Sequence, residues 1–382
     1  MNVYVRELSA ALARAGLSCD VYTRAAQPDL PPVVTVEPGF RVHHVVAGPE
    51  ATVDKDDLPD VVEHFTKGVL ERIRESAEPG LIHANYWLSG VAGHALKHEL
   101  ELPLASTFHT LARVKAEDFE HEPERRARAE SDVIGCSDVI LASNTEERAQ
   151  LERLYGAVPD RIEIVPPGVD HAFFSPGNRR GARAALGLGA VEHPVLLFVG
   201  RIQPLKGLDV AVRTLAALDN PHAVLLVVGG PSGPDGDAEL ARVRGLIVDF
   251  GLASRVRFVD PQPHHLLSSY YRAADVCLVP SRSESFGLVA LEAAACGTPV
   301  VAAAVGGLRT LVAHGHTGFL VEGRDPDAFA AYVLEVLDNP RLADEMGAAA
   351  AVRAQGYRWS ITAARLRRLY ADLTARTLVE CR

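Results

Sequence analysis

Two glutamates, Glu284 and Glu292, flank the start of an Ala/Leu-rich segment that follows the apolar run 276–280. A strand, a Ser-rich turn, a glycine and a helix in this order leave the first helical N–H groups unpaired at the positive end of the helix dipole. Such amides, here near Gly287 and Leu288, form an anion site that suits phosphate. The carboxylates cannot bind phosphate, but they can accept hydrogen bonds from sugar hydroxyls beside it. The pattern therefore predicts a nucleotide-sugar site.

Two cations lie in a loop that directly follows the apolar run 195–199. Arg201 and Lys206 could reach two phosphates of one diphosphate. Gly200 and Gly207 would allow the backbone to approach the ligand closely. A surface loop with solvated cations is the alternative. The acid pair on a later helix of the same half favours the diphosphate interpretation.

Two further glycine-rich segments have a weaker connection to a ligand. Residues 229–236 look like a phosphate loop, but their prolines remove N–H donors, which favours a rigid structural turn. Gly306 and Gly307 precede a short helix, so they could present amides to a ligand or form a simple turn.

Polar residues follow two predicted strands of the first half at their carboxyl ends, the edge where parallel sheets bind ligands. His109 and Thr110 come directly after the segment Leu104–Phe108. A histidine there is either a hydrogen-bonded loop residue or a catalytic one. Tyr86 follows the segment Leu81–Ala84, where it would be either a core aromatic or a ligand contact.

Two cations of the first half are ambiguous by themselves. Arg126 lies four residues before Glu130 on a predicted helix, a spacing typical of an exposed ion pair. Lys55 lies within an acidic segment, 54–57, and would ordinarily be surface charge. Both become candidates for an anion pocket only in combination with other residues.

The length and composition exclude several classes of protein. A chain of 382 residues, 48% hydrophobic and 23% charged, predicts two globular domains. A formal net charge of −10 argues against a nucleic-acid surface, which needs a basic face. No uncharged apolar stretch reaches the roughly 18 residues of a membrane span. Arg6 and Glu7 interrupt the first apolar run, so a signal peptide is not indicated either.

The five cysteines show neither paired nor metal-ligand spacing, which predicts reduced thiols and a cytoplasmic protein. They are Cys19, Cys136, Cys277, Cys296 and Cys381.

Strand-like and helix-like segments alternate along the chain, which predicts an α/β fold with two doubly wound parallel sheets. The strands of the first half are expected at 19–23, 42–46, 81–84, 104–108, 139–143 and 162–165. Those of the second half are expected at 195–199, 223–228, 256–259, 276–279, 300–302 and 319–321. The predicted domains are residues 1–170, residues 171–357 and a helix in 358–382 that returns to the first domain. Ligands are expected in the cleft between the halves.

The chain opens on a helix at 2–14, although a doubly wound domain normally opens with a strand and a glycine-rich turn. The first strand of the amino-terminal domain is therefore predicted to be absent.

Together these residues resemble the family 4 retaining glycosyltransferases of the GT-B type. The resemblance covers essentially the whole chain. Its most specific marks are the Glu-x7-Glu unit at Glu284 and Glu292, the Gly-Arg to Lys-Gly loop at 200–207, and the Pro-Gly-Val-Asp segment at 167–170. It implies two Rossmann-like domains and a nucleotide-sugar donor.

The resemblance also implies individual roles on the donor side. Arg201 and Lys206 would bind the donor diphosphate, Glu284 the transferred sugar and Glu292 the nucleotide ribose. Gln262 occupies the place of an arginine beside the nucleotide, and uridine remains the favoured base. Backbone oxygens of four residues would hold a structural Mg²⁺; they are Tyr271, Arg272, Ala274 and Thr298.

On the acceptor side the resemblance implies one anion pocket for an inositol phosphate. Lys55, Tyr86, Thr110 and Arg126 would hold it, with Asn2 nearby. The catalytic residues would be His109, Glu284, Arg201 and Lys206. The members of the family that the chain resembles use 1D-myo-inositol 3-phosphate as the acceptor. This sugar transfer is a step of mycothiol synthesis.

The expected reaction moves a sugar, N-acetylglucosamine or glucose, from a UDP-sugar to a hydroxyl with retention. Stabilisation of the diphosphate charge is its main requirement, so no cofactor or catalytic metal is expected. The alternatives are a different phosphorylated acceptor, as in a sucrose-phosphate-synthase-like enzyme, or an inactive sugar-nucleotide binder. An epimerase or a phosphorylase on the same architecture is a further alternative, and a homodimer is allowed.

Overall fold

The computed structural model describes residues 2–76, 79–117, 123–188, 193–218 and 220–381. It divides the chain into two compact units, Met1–Gly168 with Trp359–Arg382, and Val169–Arg358. The boundary expected after residue 170 lies two residues from Gly168, and the segment 358–382 falls almost entirely in the first unit. None of the helices in the described ranges combines the length and the apolar character that a membrane crossing requires.

The helices and strands alternate as the pattern predicts. The helices are α1 (Asn2–Arg14), α2 (Val62–Arg74), α3 (Trp87–Leu100), α4 (Ala112–Glu117), α5 (Glu124–Cys136), α6 (Thr145–Tyr155), α7 (Arg179–Ala185), α8 (Leu208–Ala217), α9 (Gly236–Asp249), α10 (Leu267–Ala273), α11 (Leu288–Ala295), α12 (Leu308–Leu311), α13 (Pro326–Leu337), α14 (Pro340–Ala354) and α15 (Trp359–Thr374). The strands are β1 (Cys19–Arg24), β2 (Val33–Glu37), β3 (Phe40–Val45), β4 (Ile82–Asn85), β5 (Leu104–Thr107), β6 (Val139–Ala142), β7 (Ile162–Ile164), β8 (Val195–Val199), β9 (Val224–Val228), β10 (Val256–Val259), β11 (Val276–Val279), β12 (Val300–Ala303) and β13 (Phe319–Val321).

The strands of the first unit form two sheets, in the orders β1-β3-β2 and β4-β5-β6-β7. Within the described residues, α1 begins at Asn2 without a strand before it, and β1 and β4 are edge strands. β2 is antiparallel to β3 and was not predicted. Its β-branched residues and the following Pro-Gly pair were the available signal, since they are typical of a strand and a hairpin turn.

The second unit has one parallel sheet in the order β10-β9-β8-β11-β12-β13. β8, β11 and β12 are almost entirely buried, as expected for apolar strands covered by helices on both faces. The chain runs outward from β8 to β10 and then returns to place β11 on the other side of β8. This reversal is a topological switch point, and in open parallel sheets ligands generally bind at the carboxyl ends of the two strands beside such a point.

The carboxy-terminal helix α15 packs on α1 within the first unit. Its buried face follows helical spacing and is formed by Trp359, Ala363, Leu366, Tyr370 and Leu373. The Trp359 ring contacts the Tyr4 ring of α1 edge to face, with a centroid distance of 5.4 Å. The parallel sheets flanked by helices confirm the predicted α/β fold with two Rossmann-like units.

Candidate active site

The two loops that leave β8 and β11 bring a predicted cation and a predicted acid together. Lys206 Nζ donates a hydrogen bond to Glu284 Oε2 at 2.6 Å. Both side chains are half-buried, with 21% and 19% of their surface exposed. Ser281 Oγ donates to the same Glu284 oxygen at 3.3 Å. The cation and the acid therefore neutralise each other, and each retains surface through which a ligand could reach it.

Gly207 makes the approach of the two loops possible. Its φ of +73° is left-handed, and a Cβ at this position would lie 2.2 Å from the carbonyl oxygen of Pro280. A side chain there would push Lys206 away from the chain segment that carries Glu284. Arg324 contributes to the same contact, since its Nε donates to Pro280 O at 3.2 Å and its Nη2 to Asp209 Oδ1 at 3.2 Å. Sequence reasoning missed Arg324, which follows β13 at the carboxyl edge of the sheet.

The loop that carries Glu284 is supported from behind by a glycine pair. Gly307 N donates to Glu284 O at 2.9 Å. A Cβ on Gly306 would lie 2.1 Å from that same carbonyl oxygen, and one on Gly307 would lie 2.5 Å from Ser285 O. The Gly306-Gly307 pair is therefore a supporting turn with close backbone packing.

The segment 229–236 is also a structural turn. A Cβ on Gly229 would lie 1.9 Å from Gly200 O, and Ile202 N donates to Gly230 O at 2.8 Å. Gln203 Nε2 donates to Ser232 O at 2.9 Å. These contacts hold the loop of Arg201 and Lys206 in place. Arg201 itself is exposed.

The amino terminus of α11 follows directly after the acid loop. Gly287, at φ +100°, precedes Leu288 and has no side chain that could cap the first helical N–H groups. These amides are suited to an anion, because the helix dipole is positive there. The helix starts where the Glu284 segment ends, so phosphate and sugar contacts would be adjacent.

Glu292 is a buried carboxylate with two partners that sequence reasoning missed. His264 Nε2 lies 2.7 Å from its Oε1, and Tyr271 donates its hydroxyl to Oε2 at 2.8 Å. Burial and the nearby Glu292 raise the pKa of Tyr271, which keeps its hydroxyl a donor. The sequence did offer one signal for His264, which is its position just beyond the carboxyl end of β10. Gln262 is in the same loop and donates to Asp260 O at 2.9 Å.

The predicted Mg²⁺ ligands meet at the end of α10. Thr298 Oγ1 donates to the carbonyl oxygen of Tyr271 at 2.7 Å. Backbone oxygens suit Mg²⁺, but this oxygen already accepts a hydrogen bond, and none of the four residues supplies a carboxylate. The fit of Tyr271, Arg272, Ala274 and Thr298 to the ion is incomplete, and the metal stays a prediction.

His109 of the first unit is a strained and neutral residue. It has φ +62°, its Nε2 lies 3.0 Å from Asn85 Oδ1, and its ring contacts Tyr4 at a centroid distance of 4.7 Å. Burial lowers the pKa of His109 to about 3. The imidazole can therefore donate or accept a hydrogen bond near neutral pH, but it is a weak base.

Arg126 is the centre of a buried polar network. Its Nε donates to Glu130 Oε1 at 2.8 Å, and its Nη2 donates to both Thr110 O and Thr110 Oγ1 at 3.0 Å. The guanidinium lies over the Tyr86 ring at 5.3 Å. Arg126 and Glu130 are 2% and 0% exposed, so the alternative of an exposed ion pair is wrong. Glu130 also accepts from Ala112 N and from the Tyr155 hydroxyl.

The other two acceptor candidates are exposed. Lys55 belongs to a loop that is tied to the start of α5, because Arg125 donates to the carbonyl oxygen of Asp56. Asn2 is the first residue of α1, two positions before the Tyr4 that contacts His109. The structure thus brings Tyr86, Thr110 and Arg126 into direct contact, and the acceptor roles of these three residues stay predictions, as do those of Lys55 and Asn2.

Two family models match the chain. The model described as "Glycosyl transferase 4-like domain" matches residues 1–168, and "Glycosyl transferases group 1" matches residues 188–353. The chain belongs to the family 4 glycosyltransferases. It is a glycosyltransferase, and retention of configuration with a UDP-sugar donor fits this family and its GT-B fold.

Curated relatives match over nearly the full length. A D-inositol 3-phosphate glycosyltransferase of Streptosporangium roseum is 45% identical, with 98% of this chain and 88% of the relative covered. The protein of the same name from Acidothermus cellulolyticus is 46% identical, with coverages of 98% and 86%.

Solved structures confirm the architecture. Sucrose-phosphate synthase from Thermosynechococcus elongatus is 34% identical with a TM-score of 0.92, covering 98% of this chain and 93% of its own. The catalytic domain of starch synthase IV from Arabidopsis thaliana is 18% identical with a TM-score of 0.76, covering 98% and 95%, and shares the fold alone.

Proposed function

We propose that this glycosyltransferase transfers N-acetylglucosamine or glucose from a UDP-sugar to 1D-myo-inositol 3-phosphate. The name shared by relatives at 45% and 46% identity supports this acceptor. The contact between Lys206 and Glu284 at the switch point of the second unit is the structural observation that carries the donor site. The buried Arg126 beside Tyr86 and Thr110 supports a site for an anionic acceptor.

Donor binding would exchange the partner of Lys206. In the structure its ammonium contacts Glu284. A diphosphate bound between Arg201 and Lys206 would replace Glu284 as the partner of the Lys206 ammonium. Glu284 could then accept hydrogen bonds from the sugar hydroxyls. The amides near Gly287 and Leu288 would add to the stabilisation of the developing charge.

The acceptor proton needs a base, and the leaving diphosphate is the best candidate. His109, with its pKa near 3, is poorly matched to general-base catalysis at neutral pH. Attack from the face that the diphosphate leaves would let a phosphate oxygen take the acceptor proton and would retain the anomeric configuration. His109 would then orient the sugar or the acceptor through hydrogen bonds.

A matrix of donors and acceptors tests the proposal. UDP-N-acetylglucosamine and UDP-glucose are each assayed with inositol 3-phosphate, free inositol and fructose 6-phosphate, and NMR gives the anomeric configuration of the product. Turnover with inositol 3-phosphate, and little with free inositol, is expected. The 34% identical sucrose-phosphate synthase makes transfer of the sugar to a sugar phosphate the second candidate. Turnover with fructose 6-phosphate and none with inositol 3-phosphate would favour it. Donor binding without any product would instead identify an inactive binder.

A cytoplasmic location and a homodimer also belong to the proposal. Fractionation of cells and light scattering on the purified protein test these two statements.

A further inference from the structure

Four potential metal ligands converge in the first unit, and none of them is a residue assigned to the donor or the acceptor. His94 and His98 are four positions apart on α3, Cys136 is the last residue of α5, and Cys381 belongs to the carboxy-terminal tail. Their ligand atoms all lie within 4.8 Å of one another. The expectation of five unpaired thiols is wrong for Cys136 and Cys381, which form a disulfide in the structure. A separation of 245 residues gives no spacing signal.

The two histidines are not explained by a disulfide, which needs only the sulfurs. His98 Nε2 lies 3.4 Å from Cys136 Sγ and 3.0 Å from Cys381 Sγ. The His94 and His98 rings are 5.1 Å apart, on one face of the helix. Two imidazoles at this spacing are a recurring zinc-binding arrangement.

The distances suit a tetrahedral ion. Zinc bonds of about 2.3 Å to sulfur and 2.0 Å to nitrogen place tetrahedral ligands roughly 3.3–3.8 Å apart. Of the two nitrogen–sulfur distances in the structure, 3.4 Å lies in this range and 3.0 Å lies just below it. The two sulfurs, which are bonded to each other in the disulfide, must separate for this geometry, and reduction of the disulfide allows them to do so.

The surrounding contacts hold the ligands in place. Lys97, between the two histidines, donates to the carbonyl oxygen of Cys136 and to Asp138 Oδ2, both at 2.8 Å. Asp138 Oδ1 accepts from Val379 N at 2.7 Å, which anchors the tail two residues before Cys381. These hydrogen bonds fix the backbone segments that carry Cys136 and Cys381 beside α3. His98 is exposed, so an ion can enter from solvent.

We propose that His94, His98, Cys136 and Cys381 bind one Zn²⁺ when both cysteines are reduced. A dithiol reductant supplies two electrons and two protons to the disulfide and is itself oxidised to a disulfide. The two resulting thiols release their protons to solvent on binding Zn²⁺, and both histidines bind as neutral imidazoles. The ion fastens the carboxy-terminal tail to α3 and α5.

Titration of the full chain with Co²⁺ tests the site directly, because tetrahedral cobalt with thiolate ligands absorbs strongly in the visible. The protein is reduced with dithiothreitol, and the dithiothreitol is then removed under anaerobic conditions. The reduced protein is titrated with Co²⁺ and then with Zn²⁺. One equivalent of Co²⁺, the tetrahedral spectrum and its loss on adding one equivalent of Zn²⁺ are expected. A disulfide that resists reduction in the folded protein, or reduced protein without the spectrum, would overturn the proposal.

Matched variants assign the ligands. Cys381→Ser and His98→Asn should each weaken Zn²⁺ binding at least 10-fold, whereas Cys19→Ser and His64→Asn, at a free thiol and an exposed helical histidine of the same unit, should not. Hydrogen exchange should show that Zn²⁺ protects the tail in the reduced parent chain and not in Cys381→Ser. Equal binding in all four variants would place the metal elsewhere and contradict the proposal.

Discussion

The helix α5 carries two Arg–Glu pairs with the same four-residue spacing and opposite environments. Arg126 and Glu130 are 2% and 0% exposed with a 2.8 Å contact, whereas Glu124 and Arg128 are 69% and 76% exposed with a 3.4 Å contact. Substitution of each arginine by methionine removes the charge while keeping the aliphatic length. Only the first substitution leaves a buried carboxylate without its cation.

The magnitudes expected for the two substitutions differ severalfold. Removing one partner of a buried ion pair costs about 3–5 kcal/mol, because the remaining charge stays desolvated. Arg126→Met also removes the two hydrogen bonds to Thr110. An exposed pair contributes about 0–1 kcal/mol, so Arg128→Met should have almost no effect.

Urea unfolding followed by tryptophan fluorescence measures this difference in the relevant unit. The two tryptophans of the chain, Trp87 and Trp359, both belong to the first unit. The fluorescence midpoint therefore reports on the unit that contains α5, and a shift without a change in slope reports the free energy of unfolding.

A second substitution makes the test decisive. Glu130→Gln on the Arg126→Met background removes the stranded charge and should recover roughly 2 kcal/mol, so the double variant should be more stable than the single one. The reasoning is refuted if Arg126→Met costs no more than Arg128→Met, or if the double variant is the less stable.

Three further predictions concern the acceptor, the donor loop and acid stability. Arg126→Ala should raise the acceptor KM at least 10-fold while the donor Kd from calorimetry is little changed; equal losses on both substrates would contradict an acceptor role. Gly207→Ala should raise the donor Kd at least 10-fold, whereas Gly315→Ala, at φ +74° with nothing within 4 Å, should leave it unchanged; equal effects would refute the steric argument. Burial lowers the pKa of His83 to about 4 and of His109 to about 3, so both stay neutral when folded and take up protons when unfolded. The stability that depends on their neutrality is complete above pH of about 6.5. It is lost as the pH falls toward about 4 for His83 and about 3 for His109, by about 1.4 kcal/mol per pH unit for each proton. His83→Gln should reduce that slope in urea unfolding, and an unchanged slope would contradict the assignment.

The second unit was predictable from local patterns. Its strands are apolar runs with turn residues at both ends, and parallel topology places their carboxyl ends at one edge. Arg201, Lys206 and Glu284 could therefore be assigned to that edge from residue type alone. The 2.6 Å contact between Lys206 and Glu284 joins positions 78 residues apart and depends on which strands are neighbours.

The remaining features depend on long-range packing. Burial of Arg126 follows from the helices and loops around α5, which a four-residue spacing does not show. The partners of Glu292 come from the loop after β10 and from α10. The cluster of His94, His98, Cys136 and Cys381 requires the carboxy-terminal tail to return to α3.

A crystal structure with UDP and an unreactive sugar donor tests the donor site most directly. We expect diphosphate oxygens within about 3 Å of Lys206 Nζ and of the Arg201 guanidinium, with Glu284 hydrogen-bonded to the sugar. A donor whose phosphates lie far from both cations, with Lys206 still paired to Glu284, would contradict the account.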